Sequence, residues 1–140
     1  MKIIYYCQTG KYGALAAAGL HLQIIDSKIS YKGFRKYIKE YNIKPYLTYY
    51  FGIDGDGNEI YALEAKIEKK LVHKILYSFQ DTFCSNKDIK SIDAFPKNYF
   101  LLFVLSKIFS LPILNCFNFI FNTSIIWMNL SFIKKQVLKP

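Results

Sequence analysis

The chain has 140 residues, 52% of them hydrophobic and 21% charged, which suits one domain with one core and excludes a two-domain enzyme and a wholly disordered chain. Its formal net charge is +9, but a single Arg stands among the 19 basic residues, and the lysines are spread along the chain. Because nucleic-acid surfaces usually cluster Arg and Lys on one face, we expect no specific nucleic-acid partner.

The chain opens with a predicted strand, a glycine-containing turn and a helix. Ile3 to Tyr6 is a short β-prone run, and Gln8 to Gly13 is typical of a loop. Ala14 to Ile25 is rich in Ala and Leu, and its small residues would let a helix approach a sheet closely. This order is the first half of a β-α-β unit.

A second helix and a hairpin are predicted next. Apolar residues recur at helical spacing between Tyr31 and Tyr41, with lysines on the opposite face, and Pro45 ends the region. Tyr46 to Ile53 and Glu59 to Leu63 are β-prone runs joined by Asp54 to Asn58. That Asp- and Gly-rich joint is a strong hairpin signal.

The segment Asp54 to Asn58 also resembles the start of a calcium-binding loop, because it has side-chain oxygens at its first, third and fifth positions. The sixth position of such a loop should be Gly and the twelfth Glu, whereas this chain has Glu59 and Ala65. A turn is therefore the preferred interpretation.

Lys66 to Phe83 is predicted to be an amphipathic helix, because Ile67, Leu71 and Ile75 follow one another at four-residue steps, with Val72 and Leu76 widening the stripe. Ile89 to Phe95 is a weaker strand prediction. Together these elements indicate a single α/β domain over residues 1–140, three-layer-like, with a mostly parallel sheet, a β-α start and one β-hairpin.

The region from Tyr99 onward is very apolar and allows two interpretations. In the first, residues 99–133 anchor the protein in a membrane. In the second, which we prefer, the region contributes a helix near residues 98–111, a break at Pro112, a strand near Ser124 to Met128 and a closing helix from Ser131 to Leu138. Several Asn residues disfavour a single span, since a buried amide without a partner is costly in hydrocarbon.

The cysteines and the first residues bear on the compartment. The three cysteines are odd in number and far apart, which favours neither a disulfide framework nor a zinc site: Cys7, Cys84 and Cys116. Polar residues from Gln8 onward interrupt the opening apolar run before it reaches the length of a signal peptide. We therefore expect a cytoplasmic protein, with membrane association as the alternative.

The turn after the first strand is the best candidate site. Backbone N–H groups that lead into a helix carry partial positive charge and suit a phosphate or a carboxylate, and Lys11 would add a full charge. The candidate ligand-binding residues are Cys7, Gly10, Lys11, Tyr12 and Gly13, together with His21 if its helical face turns toward the loop.

Known catalytic and nucleotide-binding patterns are incomplete in this turn. The spacing of Gly10 and Gly13 fits neither a Walker loop nor a dinucleotide fingerprint. A cysteine phosphatase loop would need an Arg where this chain has Gly13. Three interpretations stay open, in falling order of preference: a structural turn, an anion-binding turn, and covalent catalysis by Cys7. We assign no catalytic residue, metal or cofactor, and favour binding of a small anionic ligand over catalysis.

Two segments carry a resemblance to a known family. Lys2 to Leu22 and Gly52 to Leu63 together resemble the bacterial family called domain of unknown function 3189, and the resemblance fades after about Phe95. The matching residues are Cys7, Gly10, Ala17, Ala18, His21, Leu22, Gly52, Asp54, Gly57, Asn58, Tyr61 and Leu63. The family carries His and Ser where this chain has Tyr12 to Ala14. The resemblance therefore implies a fold and the location of a site, but no reaction.

Overall fold

The computed structural model describes residues 1–7, 12–41, 47–64, 69–83, 89–94 and 115–137. Four strands in these residues form one sheet: β1 (Lys2–Cys7), β2 (Thr48–Ile53), β3 (Glu59–Glu64) and β4 (Ile89–Asp93). Their order is β2-β3-β1-β4. β1 runs parallel to both β3 and β4, whereas β2 is antiparallel to β3. The prediction of a mostly parallel sheet with one hairpin is confirmed.

The described helices cover both faces of this sheet. They are α1 (Gly13–His21), α2 (Tyr31–Tyr41), α3 (Lys69–Phe83), α4 (Asn115–Met128) and α5 (Leu130–Val137). Side chains of α1, α2, α4 and α5 share one apolar core with alternate residues of β1. On the other face, Val72 of α3 packs against Tyr6. The three-layer α/β arrangement is therefore also confirmed.

β1 lies at the centre of the molecule because both of its faces are apolar. Ile3, Tyr5 and Cys7 point toward α1, while Tyr6 points toward α3. All residues from Ile3 to Cys7 are buried. A near-continuous apolar run of this kind is typical of a parallel strand that is covered on both sides.

The orientation of α3 differs from the sequence prediction. Val72 and Leu76 face the sheet, whereas Leu71 and Ile75 are about half exposed. The two pairs lie on adjacent faces of the helix. Contact with Tyr6 on β1 buries the face that carries Val72 and Leu76. The four-residue spacing predicted the helix correctly but did not identify the buried side.

The strand predicted near Ser124 to Met128 is wrong, because these residues belong to α4. Their β-branched side chains favour a strand, but the buried residues Thr123, Ile126 and Leu130 recur at helical spacing. Burial along this stripe outweighs local propensity. A contact with the segment that precedes α2 adds to it, since the Trp127 indole N–H donates a 2.8 Å hydrogen bond to the Ile29 carbonyl.

The remaining predictions for the C-terminal region have mixed outcomes. The closing helix is confirmed as α5, whereas the helix predicted near residues 98–111 and the break at Pro112 lie outside the described residues. Within the described ranges, no helix combines the length and the apolar character needed to cross a membrane.

α1 packs closely against its neighbours because its surface is made of small residues. Its residues from Gly13 to Leu20 are all buried. The Tyr37 hydroxyl occupies the space where a Cβ atom on Gly19 would lie, and it donates a 2.9 Å hydrogen bond to the Leu15 carbonyl. A side chain at position 19 would displace this tyrosine.

We predict that Gly19→Ala lowers the free energy of unfolding by about 1–2 kcal/mol, because overpacking of Tyr37 outweighs the better helix propensity of Ala. Gly55→Ala is the matched control, since a Cβ there meets no atom within 4 Å. Urea unfolding of both variants measures the difference. Gly19→Ala should lower the free energy of unfolding by less when Tyr37 is replaced by Phe. An equal loss with Tyr37 and with Phe would contradict this explanation.

Candidate functional site

The turn between β1 and α1 brings the end of the central strand against the start of the buried helix. Gly13 is the first residue of α1, and a Cβ atom there would lie 2.6 Å from the Cys7 Sγ and 2.8 Å from the Ala94 carbonyl oxygen. Only Gly allows this approach. Tyr12, just before the helix, has a φ of 93°, in the left-handed region. The turn is therefore fixed by both packing and backbone conformation.

Glu64 places a carboxyl group at the start of α1. It is the last residue of β3, and the parallel register aligns it with Cys7, the last residue of β1. The Tyr12 backbone N–H donates a 2.7 Å hydrogen bond to the Glu64 Oε1. The partial positive charge at the helix start is thus directed at an acidic side chain of the same protein.

Burial controls the protonation of this carboxyl group. Glu64 is 7% exposed, and burial raises its pKa from 4.5 to about 8, against the opposing effect of hydrogen bonds from the backbone amides of Tyr12 and Leu15. At pH 7 the carboxyl group is mostly protonated and neutral. The helix start therefore has a hydrogen-bond acceptor but little compensating negative charge.

The structure brings together three of the residues that the sequence indicated. Cys7, Tyr12 and Gly13 meet at the turn, and the Cys7 side chain is buried beneath the helix start. Gly10 and Lys11 lie outside the described residues. His21 is at the other end of α1, about 12 Å along the helix axis from Gly13, so it is not brought to the turn.

Sequence reasoning did not include Glu64 in the site. The available signal was an acidic residue at the end of an alternating β-prone run, where such a residue usually lies in solvent. Its placement beside Cys7 follows from the parallel pairing of β1 with β3, which are more than fifty residues apart. Local patterns do not determine that pairing.

His21 instead joins a second polar group at the opposite edge of the sheet. Its Nδ1 lies 2.6 Å from the Tyr5 hydroxyl and its Nε2 lies 3.0 Å from the Asp54 Oδ2. Asp54 also accepts hydrogen bonds from the amides of Asp56 and Asn58, as expected of a turn. In the part of the chain that the structure describes, no three His, Cys, Asp or Glu side chains are placed to hold a metal ion.

The comparisons identify a family. A family model described as "Protein of unknown function (DUF3189)" matches residues 2–137, so the chain belongs to that family. The match extends well beyond Phe95, where the motif resemblance fades. No significant match was found among curated proteins or among solved structures. The family assignment names no reaction and no ligand.

The two segments that carry the family resemblance meet in the fold. His21 contacts Asp54, and a Cβ on Gly52 would lie 3.5 Å from the Leu22 Cδ1. The resemblance therefore involves the β2–β3 turn and the end of α1 as well as the turn that follows β1.

The raised pKa of Glu64 predicts how stability varies with pH. The unfolded chain loses the Glu64 proton near pH 4.5 and the folded protein near pH 8, so the folded state binds more protons between these values. The free energy of unfolding should therefore fall as pH rises through this window, with a contribution from Glu64 of about 4 kcal/mol.

Glu64→Gln keeps an acceptor for the Tyr12 amide but removes the titration. Urea unfolding between pH 5 and pH 9 should show a smaller loss of stability in this variant than in the wild-type protein. Parallel pH profiles for the two proteins would contradict the assignment of a raised pKa to Glu64.

Proposed function

We propose that this member of the family binds a small phosphorylated or carboxylated molecule at the turn between β1 and α1, without strong catalysis. The observation that carries the proposal is the place of the turn, which joins the carboxyl end of β1 to α1 beside the carboxyl end of the parallel strand β3. The Tyr12 amide already donates a 2.7 Å hydrogen bond to the Glu64 carboxyl group, so we assign the ligand to the preceding turn residues Gly10 and Lys11, next to this occupied helix start.

The charge balance around the turn supports an anionic ligand. Between Cys7 and Ile25 the chain has no acidic residue, and Lys11 adds a cation from the turn itself. Glu64, the acidic group of β3 at this edge, is mostly neutral at pH 7 because burial raises its pKa to about 8. An anion that arrives at neutral pH therefore meets little opposition from Glu64, while Asp93, the last residue of β4, is the other acidic residue at this edge of the described sheet.

The position in the sheet also supports a ligand site. In open α/β sheets, ligands bind beyond the carboxyl ends of the parallel strands. Cys7 and Glu64 are the last residues of two adjacent parallel strands, and Tyr12 immediately precedes α1. Gly10 and Lys11, which the sequence assigns to this site, lie between Cys7 and Tyr12 in the chain.

The surroundings of Cys7 favour binding over covalent catalysis. Its side chain is 1% exposed, and Gly13 packs so closely that no Cβ atom would fit between the two residues. A nucleophilic thiolate needs access to its substrate and a nearby cation, and position 13, where a phosphatase loop would carry Arg, is Gly. The turn is accordingly assigned a binding role.

The first test uses sulfate, whose charge does not change between pH 6 and pH 9. Ionisation of Glu64 places a negative charge beside the anion, so sulfate affinity should fall about tenfold between pH 7 and pH 9. Glu64→Gln should abolish most of this pH dependence while retaining binding. Amide NMR titration of Tyr12 and Gly13 measures both affinities, and an absence of sulfate-induced shifts at pH 6 would refute the proposal.

The second test concerns the turn residues predicted from the sequence. Gly10→Val should abolish sulfate binding without unfolding the protein, because a β-branched side chain restricts the backbone of the turn. Lys11→Gln should weaken binding through the loss of one positive charge. Lys36→Gln, on the exposed face of α2, removes the same charge elsewhere and should leave sulfate affinity within about twofold at matched ionic strength.

A further inference from the structure

A chain of three hydrogen-bonded side chains lies at the amino-terminal edge of the parallel strands. Tyr5 in β1, His21 at the end of α1 and Asp54 at the start of the β2–β3 turn are linked through both ring nitrogens of the histidine, at 2.6 Å and 3.0 Å. Tyr5 is completely buried, whereas the His21 side chain is 18% exposed. The imidazole is therefore the member of the chain that solvent reaches most easily through this edge.

The surroundings of the three hydrogen-bonded side chains determine which of their atoms carry protons. Burial opposes ionisation of Asp54, but hydrogen bonds from Asn58, His21 and the Asp56 amide outweigh it and lower the Asp54 pKa to about 2. As a carboxylate Asp54 can only accept, so the His21 Nε2 carries a proton. Burial, followed by the charge of Asp54, raises the pKa of Tyr5, so its hydroxyl stays protonated. Hydrogen bonds to both ring nitrogens hold the imidazole in one orientation.

A cavity of about 210 Å³ opens beside the imidazole. Ile3 and Tyr5 of β1 form its floor, and Lys90 of β4 and Asp56 of the β2–β3 turn line it as well. Ile3 is aligned with Lys90 in the parallel register, so both side chains lie on the α1 face of the sheet. A molecule with the volume of about seven waters fits this space.

Side chains of opposite charge line opposite sides of the cavity. Lys90 belongs to β4, while Asp54 and Asp56 belong to the turn that leads into β3, and β1 lies between these two strands. Two strand spacings separate the cationic side from the acidic side, which is about 10 Å between backbones. Long side chains reaching inward shorten the gap between the charged groups.

From this arrangement we infer that the amino-edge cavity is a second binding site, for a small zwitterion of the amino-acid type. Its carboxylate pairs with Lys90, its ammonium group pairs with Asp56, and its carbon chain lies over Ile3 beside the imidazole of His21. The site goes beyond the anion-binding turn proposed above, because it lies at the other end of α1 and shares no side chain with that turn.

The test compares zwitterions of increasing length with molecules that carry one of the two charges. Glycine, 4-aminobutanoate and 6-aminohexanoate are titrated into ¹⁵N-labelled protein, alongside acetate and methylammonium at equal ionic strength. The His21 ring signals report binding. At least one of the longer zwitterions should shift the His21 signals at a concentration where acetate and methylammonium do not.

Variants of the two charged side chains test the proposed orientation. Lys90→Gln and Asp56→Asn should each weaken binding of the best zwitterion about two- to fivefold, as expected for partly exposed ion pairs. Both residues are exposed, so neither change should disturb folding. Lys74→Gln on α3 removes the same charge as Lys90→Gln at a distant exposed position and should leave the affinity unchanged.

Three results would overturn the inference. They are unchanged His21 signals with every zwitterion, equal shifts from acetate or methylammonium, and wild-type affinity in both Lys90→Gln and Asp56→Asn. Sulfate titration of the Tyr12 and Gly13 amides in the same variants separates this site from the turn, since those amides should respond as in the wild-type protein.

Discussion

The hydrogen bond between the Tyr12 amide and Glu64 is the interaction that ties the start of α1 to the end of β3, beside the turn where the ligand is proposed to bind. It exists because β1 and β3 pair in parallel, which aligns Cys7 with Glu64, and because Gly13 lets α1 begin against the strand. Two effects then act on the carboxyl group in opposite directions. Backbone amides favour its charged form and burial favours its neutral form, and burial has the larger effect on its pKa.

Two hydrogen-bonded polar groups lie at the two ends of α1. The middle of this helix consists of small apolar side chains, which allow close packing on β1 but offer no groups for recognition. Glu64 and the turn lie at its start, and His21 with Tyr5 and Asp54 lies at its end. A short helix that is buried from Gly13 to Leu20 holds both groups at a fixed separation, because its packing leaves little room for adjustment.

The fold could be predicted from the sequence where short-range patterns decide the outcome. The β-α start, the α2 helix and the Asp54 to Asn58 turn follow from periodicity and turn chemistry. The α4 helix could not, since its β-branched residues favour a strand and contacts with distant residues reverse that preference. The turn after Cys7 was predictable as the connection from β1 to α1, whereas Glu64 lies beside it only through strand pairing over a long sequence separation.

Glu64 is buried at the positive end of α1 and holds its proton near neutral pH, and a single measurement tests this directly. The side-chain carboxyl carbon of Glu64 can be followed by ¹³C NMR as pH is raised, with Glu64→Gln used to assign the signal. We predict a titration midpoint near pH 8. A midpoint near 4.5, the ordinary value for Glu, would contradict the burial of this group and the pH-dependent anion site built on it.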